Sequence, residues 1–168
     1  MEFINVIERR YSVRSYRPDP VEPEKIQQVL ETARLAPTAC NLQEFKIIVM
    51  KTANRREELK RIYPRDWFSE APYVLCVCSI PEKCWVRRDN KNYSDVDAAI
   101  VMDHIILAAT SLDLGTCWIG AFDAQAAREV LGLDDTMEPV VFTPLGYVQG
   151  AVPNRVKKPL SDLVINLD

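Results

Sequence analysis

Apolar and polar positions alternate along this chain in two periods, and the two periods predict its elements. Over 2–10, Phe3, Ile4 and Ile7 fall at helical spacing, and Glu8, Arg9 and Arg10 close the segment with charge, so a short amphipathic helix is expected. Tyr11–Tyr16 alternates and is rich in strand-favouring types, which predicts extended chain up to Pro18-Asp19-Pro20. Val21-Glu22-Pro23-Glu24 reads as the start of a second helix. That helix carries Ile26, Val29, Leu30 and Ala33 on one stripe and stops near Pro37. A polar turn over 38–43 leads to a strand at Phe45–Met50, and 53–62 suggests a short charged helix. Tyr73–Ile80 is apolar on both faces, as a central strand must be.

The segment 95–113 is the most hydrophobic helix, with almost no polar face. Such a helix is expected to be buried on all sides, and in a chain this short that favours a subunit interface. Leu114-Gly115 is read as its C-cap, Thr116–Ile119 as a short strand, and 124–131 as a helix ending at Gly132. Val140–Leu145 reads as a further strand, with Pro144 placing one end near an edge or bulge. The tail from Gly150 is a basic loop followed by Leu160–Leu167, read as a final strand. Helices and strands alternate without repeats or linkers, so the class is mixed α/β or α+β in one domain spanning 1–168.

Composition excludes more than it identifies. The chain has 168 residues, 48% of them hydrophobic and 27% charged, which is ample material for a core. A net charge of −3 argues against nucleic acid as the partner, because phosphate neutralisation needs a basic face. No apolar run approaches the roughly 20 residues of a membrane span, and no basic, apolar leader is visible at the N-terminus. Five cysteines (Cys40, Cys76, Cys78, Cys84 and Cys117) in such a chain are expected as free thiols in a reducing cytoplasm.

There is no Gly-x-Gly-x-x-Gly and no Walker loop. His104 is the only histidine, so a histidine metal site or a Ser-His-Asp triad has nothing to build from; the residue reads as core or interface. Cys76 and Cys78, with Cys84 beyond them, leave two readings open, core packing and a partial thiolate site.

The informative segment is Arg10-Tyr11-Ser12-Val13-Arg14. In extended chain, positions i, i+2 and i+4 share a side, which sets two guanidiniums around a hydroxyl. That is a donor set for phosphate oxygens. Arg155, Lys157 and Lys158 form a second cationic cluster, and if the two ends of the chain meet they enclose a dianion.

With these residues in view, the sequence resembles the nitroreductase family of FMN-dependent oxidoreductases over nearly its whole length. Arg9–Tyr16 is similar to the family's R-R-S-x-R signature with Tyr11 as one extra residue. Ala36–Gln43 is similar to its A-P-S-x-x-N-x-Q turn. Leu114–Phe122 resembles its G-L-G-T-C-W-I-G strand, and Val156–Leu160 its K-R-x-P-L element. Four such matches in order make the resemblance specific.

The resemblance implies an α+β fold with a central mixed, mostly antiparallel sheet flanked by helices, and a homodimer with FMN at the subunit interface. It implies phosphate and ribityl contacts from Arg10, Ser12 and Arg14, and further phosphate contacts from Arg155 and Lys157. It places Pro37, Thr38, Ala39 and Asn41 against the flavin from the partner subunit, and Ile119, Gly120 and Ala121 as backbone facing the ring. The implied reaction is a ping-pong cycle in which NADH or NADPH gives a hydride to the flavin and a nitroaromatic or quinone takes it away. A flavin carrier that does not turn over, and a thiolate metal or redox protein, are the alternatives. Glu44 departs from the family's usual Pro. Residues 81–93 are short compared with the inserted helices of larger members, and Trp85 and Tyr93 are the aromatics available to cover the ring.

Overall fold

The computed structural model describes residues 2–151, 153 and 155–167. Its centre is a four-stranded sheet in the order β1-β2-β4-β3, formed by Phe45–Lys51, Tyr73–Ser79, Glu138–Tyr147 and Leu114–Thr116. All three strand pairings are antiparallel. β2 is internal and almost wholly buried, as its continuous apolar run requires.

Alternation along β2 divides the core. Leu75 and Val77 pack on one face with α2 (Pro23–Arg34) and α5 (Ser94–Ser111). Val74, Cys76 and Cys78 pack on the other with Leu59, Ile62 and Phe68, from α3 (Arg56–Ile62) and α4 (Asp66–Glu70), and with Ala127 from α6 (Ala124–Leu131). The result is helices on both sides of one sheet, with α1 (Phe3–Arg9) lying against α5. In α2 the buried residues are Ile26, Val29 and Ala33, the stripe the periodicity predicts. α6 has local signals at both ends. The Asp123 carboxylate accepts from the Ala126 amide at 2.9 Å, and Gly132 closes the helix at φ 63°.

Five expectations are corrected. Gly115 does not cap α5: the left-handed residue is Asp113 (φ 61°), and Gly115 lies inside β3. It is a glycine for steric reasons, since a Cβ there would stand 2.8 Å from Cγ2 of both Val13 and Val148. Leu160–Leu167 forms no strand; Leu160–Asp162 is a single 3-10 turn, because no sheet edge reaches the tail. The short strand expected at Thr116–Ile119 ends at Thr116, and Ile119 makes only an isolated bridge with Phe142.

β4 is internal, and its irregularity falls opposite Val77 and Cys78, where the register skips Val140, not at Pro144. Pro144 is tolerated because pairing with β3 stops at Leu145. Finally, α5 is not buried all round within one chain: Val96 and Asp103 are exposed, and Ile100, His104 and Leu107 are half-buried. α4 has no counterpart in the sequence reading; it is five residues long, too short for a helical period to register.

Candidate functional site

The extended segment after α1 extends the sheet beyond β3. Ser12 bridges Thr116 in parallel and Tyr16 bridges Val148, and the Val13 amide donates to the Thr116 carbonyl at 2.8 Å. Val13 and Tyr16 are buried, and the Tyr16 hydroxyl donates to the Val13 carbonyl at 2.9 Å. Burial holds the Tyr16 phenol well above its ordinary range, so it remains a donor. With Val13 anchored inward, its neighbours Ser12 and Arg14 turn to the other side; the alternation ends there, since Ser15 is exposed and Tyr16 buried.

The Ser12 hydroxyl lies within hydrogen-bonding reach of the Cys117 thiol, and Arg14 and Arg10 act on that thiol electrostatically. Burial pushes that thiol up, against the opposing pull of Arg14, the Ser12 hydroxyl and Arg10. The Arg14 guanidinium also lies 5.9 Å from the Trp67 ring centroid, over α4. Neighbouring Arg9 is paired with Asp113 at 2.6 Å, whereas among the described residues no carboxylate pairs with Arg10 or Arg14. Two uncompensated guanidiniums around a hydroxyl, in an acidic protein, form an anion cradle. A cleft of about 240 Å³ on the Val13 side of the segment is lined by Arg10, Tyr11, Val13, Gly115 and the Arg9–Asp113 pair; Ser12 and Arg14 do not line it.

The C-terminal cations are partly brought in. Arg155 donates from Nη2 to the Glu8 carbonyl of α1, two residues from Arg10, so the chain termini do meet. Lys157 is exposed and makes no ion pair or side-chain hydrogen bond among the described residues.

Ile119, Gly120 and Ala121 follow Cys117 on the same edge. Ile119 exchanges both backbone hydrogen bonds with Phe142, at 2.9 and 3.0 Å, which fixes the strip. Gly120 is exposed, and a Cβ there would meet nothing nearer than Trp118 Nε1 at 3.9 Å. The backbone at Gly120 is therefore open to a flat ligand.

Pro37, Thr38, Ala39 and Asn41 are elsewhere. They lead into β1, the opposite edge strand. From β1 to the Arg10–Arg14 segment is four strand spacings, roughly 19 Å. One chain thus carries the two expected halves of the site on its two opposite edges. Three residues of this turn, Cys40, Asn41 and Gln43, hold φ between 53° and 57°. Beside it, Ile80 donates to the Glu44 carbonyl at 3.1 Å, so the 81–93 segment starts next to the turn. Trp85 and Tyr93 pack edge-to-face on each other at 4.9 Å.

The thiolate metal reading finds no support. Cys76 and Cys78 have their sulfurs 3.6 Å apart inside the core, Cys84 points to the Glu44 carbonyl, and among the described residues no three metal-ligating groups converge. Sequence reasoning missed Cys117 and Trp67, which long-range packing places at the cradle, and Asp97. For Asp97 a signal existed, an acid within the most apolar helix of the chain.

The fold is an α+β antiparallel sheet covered by helices on both faces, with the cationic segment and open backbone at one edge and the left-handed turn at the other. A family model described as the nitroreductase family matches residues 7–67 and 61–147, and the chain belongs to that family, whose members are oxidoreductases. A nitroreductase family protein from Clostridium difficile 630 superposes with a TM-score of 0.91 at 33% identity, covering 98% of each chain. Another, from Clostridium novyi NT, superposes at 0.82 with 29% identity over 89% of this chain and 86% of that one. The FMN reductase [NAD(P)H] of Bacillus subtilis is 26% identical over 163 residues, 87% of this chain and 66% of the relative.

Proposed function

We propose that the protein is an FMN-dependent NAD(P)H oxidoreductase working as a homodimer, with each flavin site shared between two copies. The observation that carries the reading is the uncompensated Arg10–Ser12–Arg14 cradle lying on the same sheet edge as the open Gly120 backbone. A phosphate and a flat ring attached to it require that pairing of features.

The chemistry a bound FMN supplies is acceptance of reducing equivalents from NADH or NADPH and their delivery to a nitroaromatic or quinone in alternating half-reactions. The chain's own residues bind and orient. Arg10, Ser12 and Arg14, joined by Arg155 and Lys157, hold the phosphate. The Ile119–Ala121 backbone leaves one ring face free of side chains. Pro37, Thr38, Ala39 and Asn41 complete the site from the partner.

Where the two expected halves sit supports the dimer. The cradle and the turn occupy opposite sheet edges, so a second copy is the simplest way to join them. The apolar surface left uncovered on one chain supports this. Phe3, Ile4 and Ile7 of α1 are exposed, and a groove of about 550 Å³ runs between α1 and α5, lined by Phe3, His104 and Leu107. Val156, Leu160, Ile165 and Leu167 in the tail are also bare, at 93%, 73%, 87% and 92% exposure. An apolar surface of that extent needs a cover. No described helix is long and apolar enough to cross a membrane, and the five cysteines are free, which suits a reducing cytoplasm.

The test is an absorbance spectrum of the purified protein before and after anaerobic NADH or NADPH, with sedimentation for mass. A yellow dimer that bleaches and recovers its colour on adding a quinone supports the reading. A flavin that neither nucleotide bleaches leaves only a carrier, and a colourless monomer that takes up no FMN overturns it.

A further inference from the structure

We propose that Asp97 is a positioning residue: it sets the conformation of the Thr38–Gln43 turn from the first turn of α5, and through that turn governs FMN retention in the partner's site. The inference rests on the flavin reading above.

The turn needs an external constraint. Cys40, Asn41 and Gln43 all sit in the left-handed region, which Asn tolerates but Cys and Gln avoid. Most hydrogen bonds that hold them are internal. The Thr38 hydroxyl accepts from the Gln43 amide at 3.0 Å, Gln43 Nε2 donates to the Asn41 carbonyl at 3.2 Å, and the Asn41 amide donates to the Thr38 carbonyl at 2.9 Å. Internal bonds shape a loop but do not fix where it points. At its C-terminal end the Phe45 amide of β1 donates to the Gln43 carbonyl at 2.9 Å; at its start, among the described residues, the tie to a distant element comes from 58 residues away, where Asp97 Oδ1 accepts from the Ala39 amide at 2.9 Å.

Asp97 is an expensive residue to keep there. It is 4% exposed, and its second carboxylate oxygen is buried with no protein donor among the described residues. It does not cap α5, whose N-cap position is Tyr93. A buried, half-satisfied carboxylate in the first turn of α5 carries a desolvation cost that an alanine would not. The group it does satisfy is the Ala39 amide, at the start of the strained turn. Because the turn lies on the sheet edge opposite its own cradle, the consequence of losing Asp97 falls on the partner's flavin.

The experiment uses full-length protein stripped of FMN and titrated with FMN, following fluorescence quenching and the visible circular dichroism of the bound ring. Asp97→Ala is expected to weaken FMN binding at least tenfold and to change the dichroism band. Asp97→Asn, whose amide oxygen still accepts from Ala39, is expected to stay within threefold of the wild type. Ala39→Pro removes the donor instead, and combining it with Asp97→Ala is expected to add no further loss.

Heterodimers of Asp97→Ala with Arg14→Ala subunits place one intact cradle against one intact turn, so one tight FMN per dimer is expected. If Asp97→Ala fails to fold, Asp97→Asn and Ala39→Pro still decide. The proposal is overturned by wild-type affinity in Asp97→Ala or Ala39→Pro, by Asp97→Asn losing as much as Asp97→Ala, by additive losses in the double variant, or by heterodimers with no tight site. A wild-type protein that binds no FMN overturns the flavin reading and this proposal with it. Normal wild-type binding alongside any of the preceding results overturns this proposal alone.

Discussion

Val13 closes over Gly115: the valine methyl groups lie 2.8 and 3.0 Å from where a Cβ on that glycine would stand. The contact sets how closely the arginine-bearing segment approaches β3, and so where the cradle opens. Gly115→Ala forces Val13 and Val148 apart. Overpacking of this kind costs about 1–3 kcal/mol, and a chain of this size loses roughly 2–4 °C of Tm for each kcal/mol. A lowered melting temperature together with weaker FMN binding is expected, by calorimetry and fluorescence titration. An unchanged Tm would mean the segment is not clamped as described.

The cradle itself is read by Arg14→Ala and Arg10→Ala. Hydrogen bonds to charged groups are worth about 1.5–3 kcal/mol each, so each change should raise the FMN Kd roughly 10- to 150-fold. Binding by the wild type should weaken as salt rises, since the cradle is partly open to solvent. Because neither guanidinium has a carboxylate partner, removing one orphans no buried charge. The fold should therefore tolerate both changes, and circular dichroism checks this.

Gly120→Val separates site from scaffold. The nearest atom to a new Cβ is Trp118 Nε1 at 3.9 Å, so nothing in the chain resists it. Stability should stay within about 0.5 kcal/mol of the wild type. The new side chain would stand on the proposed ring face, so flavin uptake, or its bleaching by NADH, should fall sharply. Full activity in Gly120→Val would remove this strip from the site.

Alkaline pH should destabilise the protein through its buried acids. Burial raises the Cys84 and Cys117 thiols and the Tyr16 phenol above their ordinary values. The unfolded chain then releases these protons before the folded one does. Their contribution is complete below the unfolded thiol value of about 8.5 and is lost as pH rises from there towards the folded values. Urea midpoints measured from pH 7 to 10 should fall above pH 8.5. Cys117→Ala should fall less, because one of the mismatched groups is gone.

Legibility of the sequence followed the range of the interactions involved. The end of α6 was legible because Gly132 acts within a few residues of itself; the Asp123 cap at its start emerged from the structure. β2 was legible as central because burial on both faces leaves an unbroken apolar run. The shared side of Ser12 and Arg14 was legible because extended chain has a period of two. Gly115 was misread because Leu-Gly after a helix carries the local signature of a cap, while its actual constraint comes from Val13 and Val148, about 100 and 33 residues away in sequence. The tail was misread because an apolar run becomes a strand only where an edge is free to receive it.

By itself, then, the sequence determined most of the longer helices and strands and the hydrophobic faces they present, since each depends on neighbours within a turn or two, but not the five-residue α4 or the fate of the tail. Tertiary structure alone decided that the cradle and the 38–43 turn lie on opposite sheet edges, that Cys117 sits beneath Ser12, and that Asp97 reaches Ala39. Those relationships depend on strand order and on contacts between residues dozens of positions apart, which local periodicity cannot encode.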